Sequence, residues 1–235
     1  MIYEGPFDRE EWPERFPARV VDPRGERRIH GYCVRGDLVH HGIADLAWLA
    51  IQGELPTPVE REAFTTALAY LAPVHVGESS SHATLLARLV GARPSAVVSV
   101  AATGLAEQGR SERDSLAPWF AWLEAPMGDP PAIAVEPAPT PEAIADQVDL
   151  AARSAIWFGP ERALPGAVVL TRLACAHGLM HRLGFRDRFA IEALAVWARL
   201  LVVVAESGSI RGGAVRMYPA RLPDYQYVDA DGRSA

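Results

Sequence analysis

Histidine, cysteine and arginine fall in three places along this 235-residue chain where their spacing could support chemistry. The first is the run His75-Val76-Gly77-Glu78-Ser79-Ser80-Ser81-His82. His75 reads either as a ligand contact or as a plain loop histidine. His82 falls in the first turn of an expected helix, where orphan N–H groups attract carboxylates; it contacts an anionic substrate there or lies at the surface. The three serines could cradle an anion with backbone N–H groups, but we read them as a capped turn. The second place is His177 and His181, four apart on one helix face, a spacing that can chelate a metal. Cys175 precedes them by two residues and no third ligand is identifiable, so we read a helix surface and assign no metal. The third is the arginine set Arg211, Arg216 and Arg221, which could hold an anion or form surface ion pairs.

These groups need elements to position them, and the periodicity is helical almost throughout. Residues 75–109 read as two consecutive helices joined at Gly91-Ala92-Arg93-Pro94. Ser80 or Ser81 is the expected cap of the first, with Leu85, Leu86, Leu89 and Val90 on one side. Ser95 is the expected cap of the second, and Gly109 its stop. Val97, Val100, Ala101, Gly104 and Leu105 form its face. Being apolar nearly all round and rich in small residues, it is expected to be buried on several sides, at a core or a subunit interface.

Upstream, residues 1–28 read as an irregular arm with short strands near 18–21 and 28–30. A helix then opens at Asp37 or Gly42, buries Ile43, Leu46, Ala47, Leu49 and Ala50, and ends at Gly53. Thr57 caps the next helix with Pro58 at its first position, where a missing N–H costs nothing. Downstream, a short helix near 116–123 leads into a proline-rich linker. Thr140 and Pro141 open another helix whose apolar face is Ile144, Val148, Ala151, Ala152 and Ala155. Residues 163–183 read as a further helix stopped by Gly184, and Asp187 precedes the last long one, 189–206. We read the leucines and valines of 194–204 as core, and Trp119, Phe120 and Trp122 as a hydrophobic plug.

Bulk composition narrows the function. Hydrophobic residues are 49% and charged residues 22%, ordinary for a globular protein. A net charge of −6 argues against a nucleic-acid partner, which needs a concentrated basic face. Two isolated cysteines suggest no disulfide framework, so a cytoplasmic setting is expected. The acidic N-terminal residues lack the apolar core of a signal peptide. The most apolar run is interrupted by Arg199 and is too short for a membrane span.

Two ordered sets of motifs resemble citrate synthases. Ile29, Gly31 and Tyr32 are followed by a short helix and by Gly53-Glu54-Leu55-Pro56-Thr57. Then come His75, a small-residue turn, Ala87-Arg88 and an Ala/Val/Gly-rich helix. The serine-rich turn resembles the citryl-CoA lyase branch more closely. At the other end stand Gly184-Phe185, Ala198-Arg199, Glu206 and an Arg- and Pro-bearing tail. The resemblance covers roughly residues 28–110 and 163–225. It implies an all-α fold with a large helical dimerisation domain (1–110 and 163–235). A reduced small-domain insert (111–162) would lie between the two segments.

The resemblance also implies a chemistry. Such proteins join an acyl-CoA to a 2-oxo acid or cleave the product, using two histidines, an aspartate and carboxylate-clamping arginines. No resident cofactor is implied; a CoA thioester would be a substrate. His75 or His82 matches the substrate-contacting histidine. Arg211, Arg216 and Arg221 match a tail that reaches the partner's site. The two catalytic histidines and the aspartate have no match: 107–112 reads Glu-Gln-Gly-Arg-Ser-Glu, 112–164 holds no histidine, and 164–168 reads Leu-Pro-Gly-Ala-Val. The catalytic residues are therefore unassigned. The expected function is a catalytically degenerate subunit, homodimeric or paired with an active paralogue, without nucleic-acid or membrane partners. An active lyase or acyltransferase rebuilt around His75, His82 or Glu78 is the alternative, and a CoA-ester or dicarboxylate sensor a third.

Overall fold

The computed structural model describes residues 20–22 and 26–210. Arg211, Arg216 and Arg221 lie outside the described residues. The chain divides into two compact units, 1–57 and 58–235.

In the first unit, β1 (Val21–Asp22), β2 (Arg28–Ile29) and β3 (Tyr32–Cys33) form a small antiparallel sheet in that order. Val21 is opposite Ile29, and Ile29 opposite Tyr32. β3 has no counterpart in the sequence reading, because a two-residue strand is too short to show alternation. Then α1 (Ile43–Gln52) begins at Gly42, whose N–H donates to the Asp45 carboxylate at 3.2 Å. Gly53 ends it at φ +85°, a left-handed position that favours glycine. It buries Asp45, Trp48 and Leu49; of the expected face Leu49 is buried, Leu46 and Ala47 are half-buried, and Ile43 and Ala50 are exposed.

Among the described residues of the second unit, the regular structure is helical apart from one isolated bridge between Val135 and Leu170. α2 (Pro58–Leu71) buries Ala63, Phe64, Ala67, Leu68 and Leu71, and Pro73 follows it. α3 (Ser79–Leu89) has Glu78 at its cap, not Ser80 or Ser81. Both serines are inside the helix and buried, together with Thr84, while the leucine side expected to be buried is only half so. α4 (Pro94–Ser115) is capped by Arg93 without a side-chain bond, so Pro94 and not Ser95 defines its start. It buries one stripe at four-residue spacing: Val97, Ala101, Leu105 and Gly109. Gly109 does not stop the helix. It marks a close crossing, since a Cβ there would sit 2.6 Å from that of Ala195.

α5 (Ala117–Glu124) seats Trp119 at 0% exposure, with its indole N–H donating to the Ala174 carbonyl at 3.0 Å. α6 (Pro141–Phe158) is capped by Thr140 as expected, but its face is reversed. Gln147, Leu150, Ser154 and Trp157 are buried, and Ile144 and Val148 are exposed. The reason lies in the segment 163–170, which is extended instead of helical. Gln147 donates to the Pro165 carbonyl at 2.6 Å and accepts from Leu170 N–H at 3.1 Å, while Ser154 Oγ accepts from Leu164 N–H at 2.8 Å. Polar side chains thus satisfy a backbone that Pro165 and Gly166 keep out of a helix.

α7 (Arg172–Arg182) starts nine residues later than the periodicity suggests, capped by Thr171. Every residue from Ala174 to His181 in it is buried, which makes it the axis of this unit. α8 (Arg188–Ser209) is capped by Asp187, whose carboxylate accepts from Ala190 N–H at 2.8 Å. α4 lies along α8 with α3 against both, and α2 packs on α7, α8 and α6. Val74, Ala101, Leu105 and Val203 form one core cluster. No described helix is long and apolar enough to cross a membrane.

Candidate functional site

A cavity of about 450 Å³ opens between the start of α3, the C-terminal half of α4 and the start of α7. Glu78, Ser79, Gln108, Ser111, Glu112 and Thr171 give its wall a polar side. Leu116, Ile133 and Leu173 give it an apolar one. Gln108 and Glu112 stand four apart, so they share one helix face.

The polar floor is a charge network. Gln108 Nε2 donates to Glu112 Oε1 at 3.0 Å and also to Glu78 Oε2, joining the two carboxylates. Ser80 Oγ donates to Gln108 Oε1 at 2.6 Å. Arg199, only 1% exposed, meets Glu112 through both terminal nitrogens: NH1 donates to Oε1 at 3.0 Å and NH2 lies 2.8 Å from Oε2. Its Nε donates to the Leu71 carbonyl at 2.9 Å. Arg172 NH1 donates to the Tyr70 carbonyl at 2.7 Å. Two guanidinium groups therefore cap the negative C-terminal end of α2.

His177 is 1% exposed, with Nε2 3.8 Å from Glu112 Oε2, and neither ring nitrogen makes a hydrogen bond among the described residues. An imidazole and a carboxylate do meet here, from residues the sequence reading gave no catalytic role. Burial alone would raise the Glu112 carboxyl. The adjacent His177 and Arg199, the guanidinium charge and Gln108 outweigh it and hold the group below its ordinary value. A carboxylate held down in this way is a weak base. His177 does not line the cavity.

Of the expected site residues, His75 is exposed and lies in the turn before the cavity. Its N–H donates to Glu78 Oε1 at 2.7 Å, and its Nδ1 accepts from Gly77 N–H at 3.0 Å. His82 is partly buried on α3, and neither histidine is part of the cavity wall. The serine run is a turn entering a helix, as read, and only Ser79 reaches the cavity. His181 and His177 have different acidic neighbours: His181 Nε2 lies 2.6 Å from Glu124 Oε1, and His177 Nε2 lies 3.8 Å from Glu112 Oε2. No cluster of three His, Cys, Asp or Glu among the described residues is placed to hold a metal. Glu112, Gln108 and Arg172 were missed, and His177 and His181, read as a helix surface, are both buried. The available signal was Gln108 and Glu112, polar residues in register with the buried stripe of α4.

The helical arrangement is a citrate-synthase-like all-α fold. It is similar to the structure of citryl-CoA lyase from Hydrogenobacter thermophilus, with a TM-score of 0.57 and 16% identity. The match covers 90% of this chain and 94% of that one, so the two are of similar length. No family model and no curated protein matches this sequence.

Proposed function

We propose that this protein is a catalytically degenerate relative of the citrate synthase and citryl-CoA lyase group, acting as a structural or regulatory subunit. The observation that supports this reading is Glu112 in the fork of Arg199. A buried guanidinium is the group best suited to clamp a substrate carboxylate bidentately. Here its Nε and one terminal nitrogen donate to a backbone carbonyl and to an internal carboxylate, and the other terminal nitrogen is ion-paired with that same carboxylate. The cavity beside it presents two more obstacles to an anionic substrate. Glu78 and Glu112 are in its wall, and no lysine, arginine or histidine is. Oxaloacetate or citryl-CoA would meet negative charge where it needs positive.

The partner in this reading is a second copy or an active paralogue, docked on the α4 and α8 side. In the N-terminal half of α4, Val98 and Val100 are left exposed. Phe189, Trp197 and Leu201 are exposed on α8. Residues 111–162 would stand in for the small domain, with α5 tied onto α7 through Trp119.

The test is release or consumption of free thiol by the purified protein given citryl-CoA, or acetyl-CoA with oxaloacetate. No turnover alone, with recovery of an active citrate-synthase-like protein on co-purification, is the expected result. Turnover by the pure chain overturns the proposal. It would support the second reading, an active lyase or acyltransferase rebuilt around His75, His82 or Glu78; the His75 backbone N–H donates to the Glu78 carboxylate at the cavity's edge. Length does not separate the two, since the similar lyase chain is just as short.

A further inference from the structure

A second cavity lies on the other flank of the first turn of α7. It encloses about 290 Å³, and its wall includes Arg172, Tyr70, Glu136, Asp146, Gln147 and Cys175. Its charges are arranged differently from those of the first cavity. Arg172 spends only NH1, on the Tyr70 carbonyl at 2.7 Å and the Leu71 carbonyl at 3.4 Å. Its Nε and NH2 make no hydrogen bond among the described residues. Glu136 and Asp146 have no cationic partner among the described residues either. Gln147 is different: its amide donates to Pro165 and accepts from Leu170, which fixes that part of the wall.

We propose that this cavity binds a small zwitterionic amino acid, its carboxylate at the free edge of Arg172 and its ammonium at Asp146 and Glu136. Charge decides between ligand classes. A dicarboxylate would satisfy Arg172 but meet two like charges, and a diamine would do the reverse. A ligand with one charge of each sign leaves neither pole unpaired. Size decides the rest. The volume is at the low end of small-molecule sites, which run from about 300 to 1,000 Å³. That admits an amino acid and excludes a nucleotide or a CoA ester. Arg172 is pinned at NH1, so the donor edge is held in place before a ligand arrives.

The two cavities share no wall residue, although Arg172 also feels the charges of Glu78 and Glu112, and the thiol assay neither supports nor weakens this proposal. The experiment is calorimetry and thermal shift on the full-length protein. Glycine, β-alanine and 4-aminobutyrate are compared with butyrate and butylamine as single-charge controls. At least one zwitterion is expected to bind saturably and at least about tenfold more tightly than either control. Asp146→Asn with Glu136→Gln changes only partly or fully exposed side chains, and is expected to abolish that preference while the fold stays intact. No saturable binding by any of the three zwitterions, or equal binding of butyrate or butylamine, overturns the proposal. So does a preference that survives the double substitution.

Discussion

Glu112 and Arg199 compensate one another inside the protein, and that compensation has measurable consequences. Removing one partner of a buried pair strands the other's charge. Glu112→Ala is expected to cost about 3–5 kcal/mol in urea unfolding. Glu112→Leu with Arg199→Met is expected to cost less than that single change, because neither charge is then left alone. The same pair sets the acid limb of stability. The carboxyl of Glu112 is lower in the folded state than its ordinary 4.5, so the unfolded chain takes up the proton first. Its contribution is complete above about pH 4.5 and is lost as pH falls from there through the depressed folded value. Glu112→Gln should flatten that part of the stability–pH curve; an unchanged slope would show that other carboxylates set it. Cys175 makes a simpler case. Burial pushes its thiol up to about 12, and only the weak Gln147 contact at 3.7 Å faces it. At pH 8 a thiol reagent should count Cys33 alone in the native protein and both cysteines after denaturation.

At the level of elements, the crossing of α4 and α8 is the most demanding contact in the helical unit. Gly109 would ordinarily gain helix stability on replacement by alanine, by up to about 1 kcal/mol. Here the added Cβ would lie 2.6 Å from that of Ala195, so the sign reverses. Gly109→Ala is expected to destabilise the protein by about 1–3 kcal/mol in thermal or urea unfolding. Adding Ala195→Gly should return part of the loss, since it removes the atom that is struck. A stabilised single variant would mean that the two helices can separate freely at this point. α6 shows the opposite situation, an element held by polar side chains. Gln147 and Ser154 do for 163–170 what a sheet or helix ladder would do elsewhere.

On the scale of the whole molecule, α4 and α8 expose apolar side chains, the surface that the proposed dimer would cover. Leu201 is 79% exposed, so it contributes little to folding of the single chain. Leu201→Asp should therefore change monomer stability by no more than about 0.5 kcal/mol. In the proposed dimer it would place a charge in the interface and shift the mass measured by light scattering from dimer to monomer. A wild-type protein that is already monomeric at high concentration would remove this surface from the argument.

Local sequence determined the element types, and several of their ends, because those depend on neighbouring residues. Thr140-Pro141, Asp187 and Gly53 form caps or stops wherever the chain is placed. Periodicity likewise fixed the all-α character and the spans of α2 and α8 to within a few residues. Which face each helix buries was decided only by tertiary structure. α6 turns its Ile144–Val148 side outward because Gln147 and Ser154 are needed to hold 163–170, and 163–170 pairs with residues far away in sequence. The same holds for the charge network. Glu78, Glu112, Arg172 and Arg199 are spread over more than a hundred positions, and no local spacing reveals that they meet. The distance between charged groups that determines their energies exists only once α3, α4, α7 and α8 are packed.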